Sequence, residues 1–294
     1  MNKLKKLVFF GTEDFSTPSL QALLGSGWEV AAVVTKPDRP AGRGRHTKIP
    51  AVKAVATDHG IKVLQPEKVE EVQDELKTIS AEIGVLVAYG KIIPADIIDL
   101  FPAGIINVHP SLLPKYRGPS PIETAILSGD SQTGVSLMQL APKMDAGPVY
   151  RQFTLPLSGK ETKTELYARL ADIGAKMLVE DLENIIGGKS QPAPQDDSKA
   201  TYTTMLTKSD GKISEEESAE FIERKVRAYQ GFPKTSIKLM DKYEVVVTKA
   251  RVASSSEDGD LVIKAKGGFI VIEELIAPSG RLVSGAEFLR GYRA

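Results

Sequence analysis

Over its first 110 residues this chain alternates. Short apolar runs at residues 7–10, 30–35, 62–64, 84–88 and 105–108 are separated by stretches with helical spacing. Strands that read as continuous apolar runs are covered on both faces, and strands joined through helices run parallel. The chain is thereby restricted to an α/β fold with a doubly wound, mostly parallel sheet. Thr17-Pro18 supplies an N-cap and a proline at the first helical position for a helix through Leu20, Leu23 and Leu24 to Gly25. A second helix, over residues 51–59, stops at Gly60. Ser120-Pro121-Ile122-Glu123 and Thr162-Lys163-Thr164-Glu165 both have the form of a capping box, and the latter opens a long amphipathic helix ending near Ile186. Residues 133–140 and 148–157 read as further strands.

The pattern changes after residues 187–200 (GGKSQPAPQDDSKA), which are rich in proline and polar residues and have no periodicity. They divide the sequence into a first domain at 1–188, a linker at 189–205 and a second domain at 206–294. Beyond the linker one helix is expected from Ser214, with Glu215, Glu216 and Glu217 in its first turn, to Tyr229. Short strands follow at 235–240, 243–253, 260–265 and 268–275, separated by turn signals, and this near-regular spacing suggests a small barrel.

With 294 residues, 41% of them hydrophobic and 26% charged, the chain has a globular composition. No run approaches the roughly 18 apolar residues of a membrane helix. The apolar stretch after the positively charged first residues is too short for a signal peptide and reads as a first strand. The absence of cysteine excludes disulfides, thiolate zinc sites and a cysteine nucleophile, and three histidines argue against a multi-histidine metal site. A cytoplasmic protein without a metal is expected. Formal net charge is zero, so the bulk field announces no nucleic-acid partner. Locally, however, Lys36, Arg39, Arg43, Arg45, Lys48 and Lys53 face a single acid, Asp38.

The chemistry concentrates at the end of the run 104–106, where Asn107 and His109 follow. Residues i and i+2 of a strand share a face, and Pro110 keeps His109 extended. An amide and an imidazole should therefore project side by side from the carboxyl end of a strand, where ligands of such sheets bind. Asp145, before Ala146-Gly147-Pro148, is either a turn former or a third site residue. An amide, an imidazole and a carboxylate suffice for acyl transfer without a covalent intermediate. Lone histidines and buried asparagines often only satisfy backbone groups, and that reading applies to His59 at a helix end and to His46 on the surface. Residues 114–119 are either a rigid connection with solvated Lys115 and Arg117 or part of a ligand site, while Ser111, Leu112, Leu113 and Pro114 offer backbone polar groups and an apolar wall suited to a flat heterocycle. The basic segment 35–50 is either a solvated loop or a phosphate-contacting arm. A single glycine at Gly11 does not support a dinucleotide site, and neither a P-loop nor a G-x-S-x-G motif occurs.

Taken together, Phe10-Gly11-Thr12 with Asp14-Phe15, the segment Lys36-Pro37-Asp38-Arg39-Pro40-Ala41-Gly42-Arg43-Gly44, Val87-Ala88-Tyr89-Gly90, the block 107–118 and Met144-Asp145-Ala146-Gly147 resemble the methionyl-tRNA formyltransferase family. The Asn-x-His with Ser-Leu-Leu-Pro and the later Asp is shared by a wider group of formyl-tetrahydrofolate enzymes, and the basic segment is what points to tRNA. The resemblance implies a Rossmann-like formyltransferase domain followed by a small C-terminal OB-like barrel. It implies transfer of the formyl group of 10-formyltetrahydrofolate to the α-amine of methionyl-initiator tRNA, by a cytoplasmic monomer that needs neither metal nor membrane. It assigns Asn107, His109 and Asp145 to catalysis, Ser111, Leu112, Leu113 and Pro114 to the folate, and Arg39, Arg43 and Arg45 to tRNA. A purine precursor or an amino-sugar nucleotide as acceptor, hydrolysis of the formyl group, and a binding module with a dead site are the alternatives it has to displace.

Overall fold

The computed structural model describes residues 5–41, 46–255 and 259–292. In chain order the strands of the first part are β1 (Lys6–Gly11), β2 (Glu29–Val34), β3 (Arg39–Ala41), β4 (His46–Lys48), β5 (Lys62–Leu64), β6 (Ile83–Val87), β7 (Ile105–His109), β8 (Gln132–Gln139) and β9 (Val149–Pro156). The helices are α1 (Thr17–Gly25), α2 (Ala51–Asp58), α3 (Gln73–Ile79), α4 (Ala95–Ile98), α5 (Pro121–Ser128) and α6 (Lys163–Ile186). The chain forms two compact units: Met1–Pro119 with Thr133–Leu155 and Tyr167–Thr203, and Ser120–Gln132 with Pro156–Leu166 and Thr204–Ala294.

The first unit is built on a seven-stranded sheet of order β5-β2-β1-β6-β7-β8-β9. Pairings β5–β2, β2–β1, β1–β6 and β6–β7 are parallel, and β7–β8 is antiparallel. The expected doubly wound, mostly parallel sheet is thus present, with an antiparallel flank that the sequence pattern left open. The order turns back between β1 and β6, the place where sheets of this kind open a crevice at the carboxyl ends of their strands. One face of the sheet is closed by Val8, Phe10, Ala32, Leu86, Ile97 and Phe101, with Phe10 packed edge-on against both Tyr89 and Phe101. On the other face α6 lies close to β7: a Cβ at Gly174 would stand 2.5 Å from Cγ1 of Val108.

β3 and β4 pair only with each other, joining Arg39 to Lys48 and Ala41 to His46 in an antiparallel hairpin that the sequence reading missed. Its base is fixed by Asp38, which accepts from Lys53 at 2.6 Å and from the Gln65 amide at 2.7 Å. These partners hold the Asp38 carboxyl below its usual range, the Lys53 hydrogen bond contributing most.

The second unit contains α7 (Ala219–Ala228), β10 (Thr235–Leu239), β11 (Tyr243–Ala253), β12 (Val262–Ala265), β13 (Gly268–Ile276), β14 (Leu282–Ser284) and α8 (Gly285–Gly291). The antiparallel order is β10-β11-β13-β12, with β14 also on β13. Register shifts on either side of Lys249 bend β11, as bulges do when a sheet curls into an OB-like barrel. Ile222, Val226, Val245, Ile270, Leu275 and Phe288 fill its core. The helix expected from Ser214 begins instead at Ala219. Ser218 caps it by accepting from the Phe221 N–H at 3.2 Å, while the Glu217 carboxylate takes the Ser214 N–H and the Lys225 ammonium. The acids were read as a first helical turn, but they serve a turn ahead of the helix.

At Ser120 the expected capping box is not formed either. The hydroxyl donates to the Thr204 carbonyl, and Glu123 pairs with Lys163 at 2.7 Å. The box at Thr162 and Glu165 is formed, with Glu165 accepting from both the backbone N–H and the hydroxyl of Thr162. No helix among the described residues is long and apolar enough to cross a membrane.

Candidate active site

Asn107 and His109 stand at the carboxyl end of β7, and both are buried. The loop after β8 brings Asp145 back to them. Asp145 sits in the left-handed region at φ +46°, which L residues adopt only when their surroundings hold them there. Oδ2 accepts the Gly118 N–H at 2.8 Å, and Oδ1 is 3.4 Å from the Asn107 amide nitrogen. The second N–H of Asn107 has no partner among the described residues. Two residues on, Gly147 is required, because a Cβ there would lie 1.8 Å from the Gln139 carbonyl oxygen.

Hydrogen-bond chemistry fixes the orientation of His109. Nε2 is 3.0 Å from the Tyr116 carbonyl oxygen, which can only accept, so Nε2 carries a proton. In the neutral ring Nδ1 is then bare. Nδ1 faces Asp145 Oδ2 at 3.8 Å, beyond hydrogen-bond distance. Tyr116 presents its carbonyl from the left-handed region, at φ +61°.

Residues 111–114 turn behind β7 with their polar groups engaged within the protein. Ser111 donates its hydroxyl to the Lys115 carbonyl, and its own carbonyl accepts from Ser136. The Leu113 N–H donates to the Ser136 hydroxyl and its carbonyl accepts from Gln152. The backbone groups read as available to a heterocycle are therefore largely committed, and the loop offers apolar surface, chiefly from half-buried Leu112 and Pro114. Leu113 and Pro114 also border a cavity of about 330 Å³, with Gln152, Pro194, Gln195 and Asp196, but none of Asn107, His109 and Asp145 lines it.

Of the two alternatives left open for Arg117, a solvated charge is excluded. Its side chain is fully buried, with Nε and Nη2 donating to Gln195 Oε1, Nη2 to Asp197 Oδ1 at 2.7 Å, and Nη1 to the Tyr202 hydroxyl. Lys143 and Arg117 together hold the Asp197 carboxyl below its usual range. The Pro-rich segment is correspondingly tied down. Ala193 pairs with Val149, while Thr201 and Thr203 bracket Arg117 like an added strand. Gln195, in the middle of this segment, escaped the sequence reading, since nothing in a Pro- and Gln-rich stretch marks one amide out from another.

Tyr89, two residues past β6, is buried, and burial pushes its phenol up to about 12, so it exchanges no proton near neutrality. Of the predicted tRNA contacts, Arg39 is exposed on the hairpin, while Arg43 and Arg45 lie outside the described residues. Among the described residues no cluster of three or more His, Cys, Asp or Glu side chains could hold a metal ion.

An amide, an imidazole and a carboxylate converging at the carboxyl end of β7 in a doubly wound sheet form an arrangement suited to acyl transfer. Residues 5–182 match the Formyl transferase family and residues 205–293 match the family described as Formyl transferase, C-terminal domain. The chain is 38% identical to the methionyl-tRNA formyltransferase of Halorhodospira halophila, over 98% of this chain and 96% of that protein. It is 36% identical to the methionyl-tRNA formyltransferase of a Sulfurihydrogenibium species, over 98% and 97%. The fold is shared with an N-formyltransferase from Helicobacter canadensis crystallised with folinic acid and dTDP-3-aminofucose, at a TM-score of 0.70 and 21% identity, over 91% of this chain and 98% of that one. The chain belongs to the methionyl-tRNA formyltransferase family.

Proposed function

We propose that the protein transfers the formyl group of 10-formyltetrahydrofolate to the α-amino group of methionyl-initiator tRNA, in the cytoplasm, for translation initiation. The observation that carries the chemistry is the convergence of Asn107, His109 and Asp145 at the end of β7. The amine nitrogen bonds to the formyl carbon, the bond from that carbon to the folate N10 breaks, and one proton passes from the amine to N10. Charge develops on the formyl oxygen. The N–H of Asn107 that is not directed at Asp145 donates to it. With Nε2–H committed to Tyr116, His109 donates to the same oxygen if the ring face toward it bears a proton, and Asp145 positions the imidazole. Asp145 also takes the amine proton, directly or through water.

Leu112 and Pro114 supply apolar surface to the folate, with Ser111 and Leu113 shaping the turn beneath them. Arg39, on the β3–β4 hairpin, contacts tRNA phosphates together with Arg43 and Arg45. Residues 1–188 form the catalytic domain, 189–205 the linker and 206–294 the OB-like domain, a division supported by family matches that end at 182 and resume at 205.

The test is incubation with the formyl donor, with and without methionyl-tRNA. Formylmethionyl-tRNA should accumulate only when both are present. Consumption of the donor without tRNA indicates a hydrolase, and turnover with an amino-sugar nucleotide but not with methionyl-tRNA indicates a different acceptor; either result sinks the proposal.

A further inference from the structure

We infer that Gln195 is a positioning residue, which holds the catalytic carboxylate of Asp145 in its working conformation from within the Pro-rich segment. This rests on the role proposed above for Asp145. The inference starts from the backbone of Asp145, whose left-handed conformation needs outside support. Gly118 supports the side chain. The peptide itself is held by Gln195, whose Nε2 donates to the carbonyl of Asp145 at 2.8 Å and to that of Gly147 at 2.7 Å. Both amide hydrogens of one side chain thus span the residue pair that sets the turn.

The orientation of this amide is not arbitrary. Carbonyls only accept, so the nitrogen must face Asp145 and Gly147. A guanidinium only donates, so the oxygen must face Arg117, whose Nε and Nη2 lie 3.1 and 2.8 Å away. A flipped amide would set its oxygen against two carbonyls and its hydrogens against a cation. Arg117 is itself immobilised by full burial and by Asp197 and Tyr202. The result is a relay from Arg117 through Gln195 to the Asp145 peptide, with every donor and acceptor of the Gln195 amide used.

The relay separates two roles that one substitution can distinguish. Gln195→Glu keeps an acceptor for Arg117, charge-assisted at that, and removes both donors to the Asp145 turn. If Gln195 merely braced Arg117, this variant should be at least as stable and as active as the parent. If it positions Asp145, kcat for formylation of methionyl-tRNA falls by about 10²-fold, the effect of a misplacement on the order of 1 Å. KM for each substrate should stay within about threefold, since the Gln195 amide is committed to Arg117, Asp145 and Gly147. Gln195→Met, which removes the donors without adding charge, should lose kcat similarly. Tyr202→Phe, which removes only one outer partner of Arg117, should stay near the parent. Thermal unfolding of each variant accompanies the kinetics. Parent-like kcat in Gln195→Glu, or failure of both Gln195 variants to fold, overturns the inference and leaves Gln195 a stabilising residue. A parent protein that does not formylate methionyl-tRNA overturns the proposed function instead.

Discussion

Asn107 is the residue whose removal should speak most directly to mechanism. Its amide reaches Asp145 with one N–H, and the proposed mechanism gives the other to the developing charge, so on that proposal Asn107→Ala loses a transition-state donor as well as the contact to Asp145. Removal of such a donor costs about 10²–10³ in rate. The loss should appear in kcat with KM little changed, as measured by steady-state formylation, and a kcat within threefold of the parent would remove Asn107 from the oxyanion site. Asn107 and His109 were readable from sequence because strand alternation alone puts i and i+2 on one face, and Pro110 keeps the second of them extended. Asp145 was ambiguous. Its role depends on a left-handed backbone, on the steric demand for Gly147 and on the N–H of Gly118, none of which leaves a mark in a one-dimensional pattern. Arg117 stayed open between two readings for the same kind of reason. A cation in a proline-bounded loop looks solvated until a segment about 80 residues later closes over it with an amide, a carboxylate and a phenol.

At the scale of elements, the parallel strands were legible almost residue by residue, since continuous apolar runs have few alternatives to a two-sided burial. Helix starts were less so, because capping motifs are short and carboxylates have competing uses. Ser214 and Ser218 both precede acidic, helix-forming sequence, and both have polar side chains suited to an N-cap. Only Ser218 accepts the N–H of a residue inside α7, while the Ser214 hydroxyl accepts from Glu216 ahead of it. Ser218→Ala should therefore cost about 1 kcal/mol of stability, the usual value of a lost cap. Ser214→Ala, on the exposed turn before it, should stay within about 0.5 kcal/mol. Denaturant unfolding of the two variants side by side checks this, and equal costs would return the helix start to Ser214. The hairpin of β3 and β4 was invisible because three-residue strands interrupted by proline and glycine carry no period. What marks its base is Asp38, whose ion pair with Lys53 and amide bond from Gln65 come from α2 and from just beyond β5.

For the whole molecule, composition excluded a good deal but said little about the macromolecular substrate, because net charge is zero. What discriminates tRNA from a small acceptor is where the positive charge is placed. Arg39 lies on a short hairpin whose base is anchored at Asp38, and Arg43 and Arg45 follow it in the sequence. An arginine there can contact a phosphate bidentately or stack on an end base, while the proposed catalytic trio and the 111–114 turn are built from other elements. Arg43→Ala should accordingly lower kcat/KM for methionyl-tRNA. Because each phosphate contact contributes to the salt slope, it should also flatten the dependence of that constant on ionic strength, by about one unit or less in the logarithmic slope. Folate affinity should be unchanged. Steady-state kinetics at two or more salt concentrations, run beside a folate-binding titration, separates the outcomes. Unchanged tRNA kinetics with weakened folate binding would move the hairpin into the donor site, and the case for a small-molecule acceptor would then reopen on the same catalytic residues.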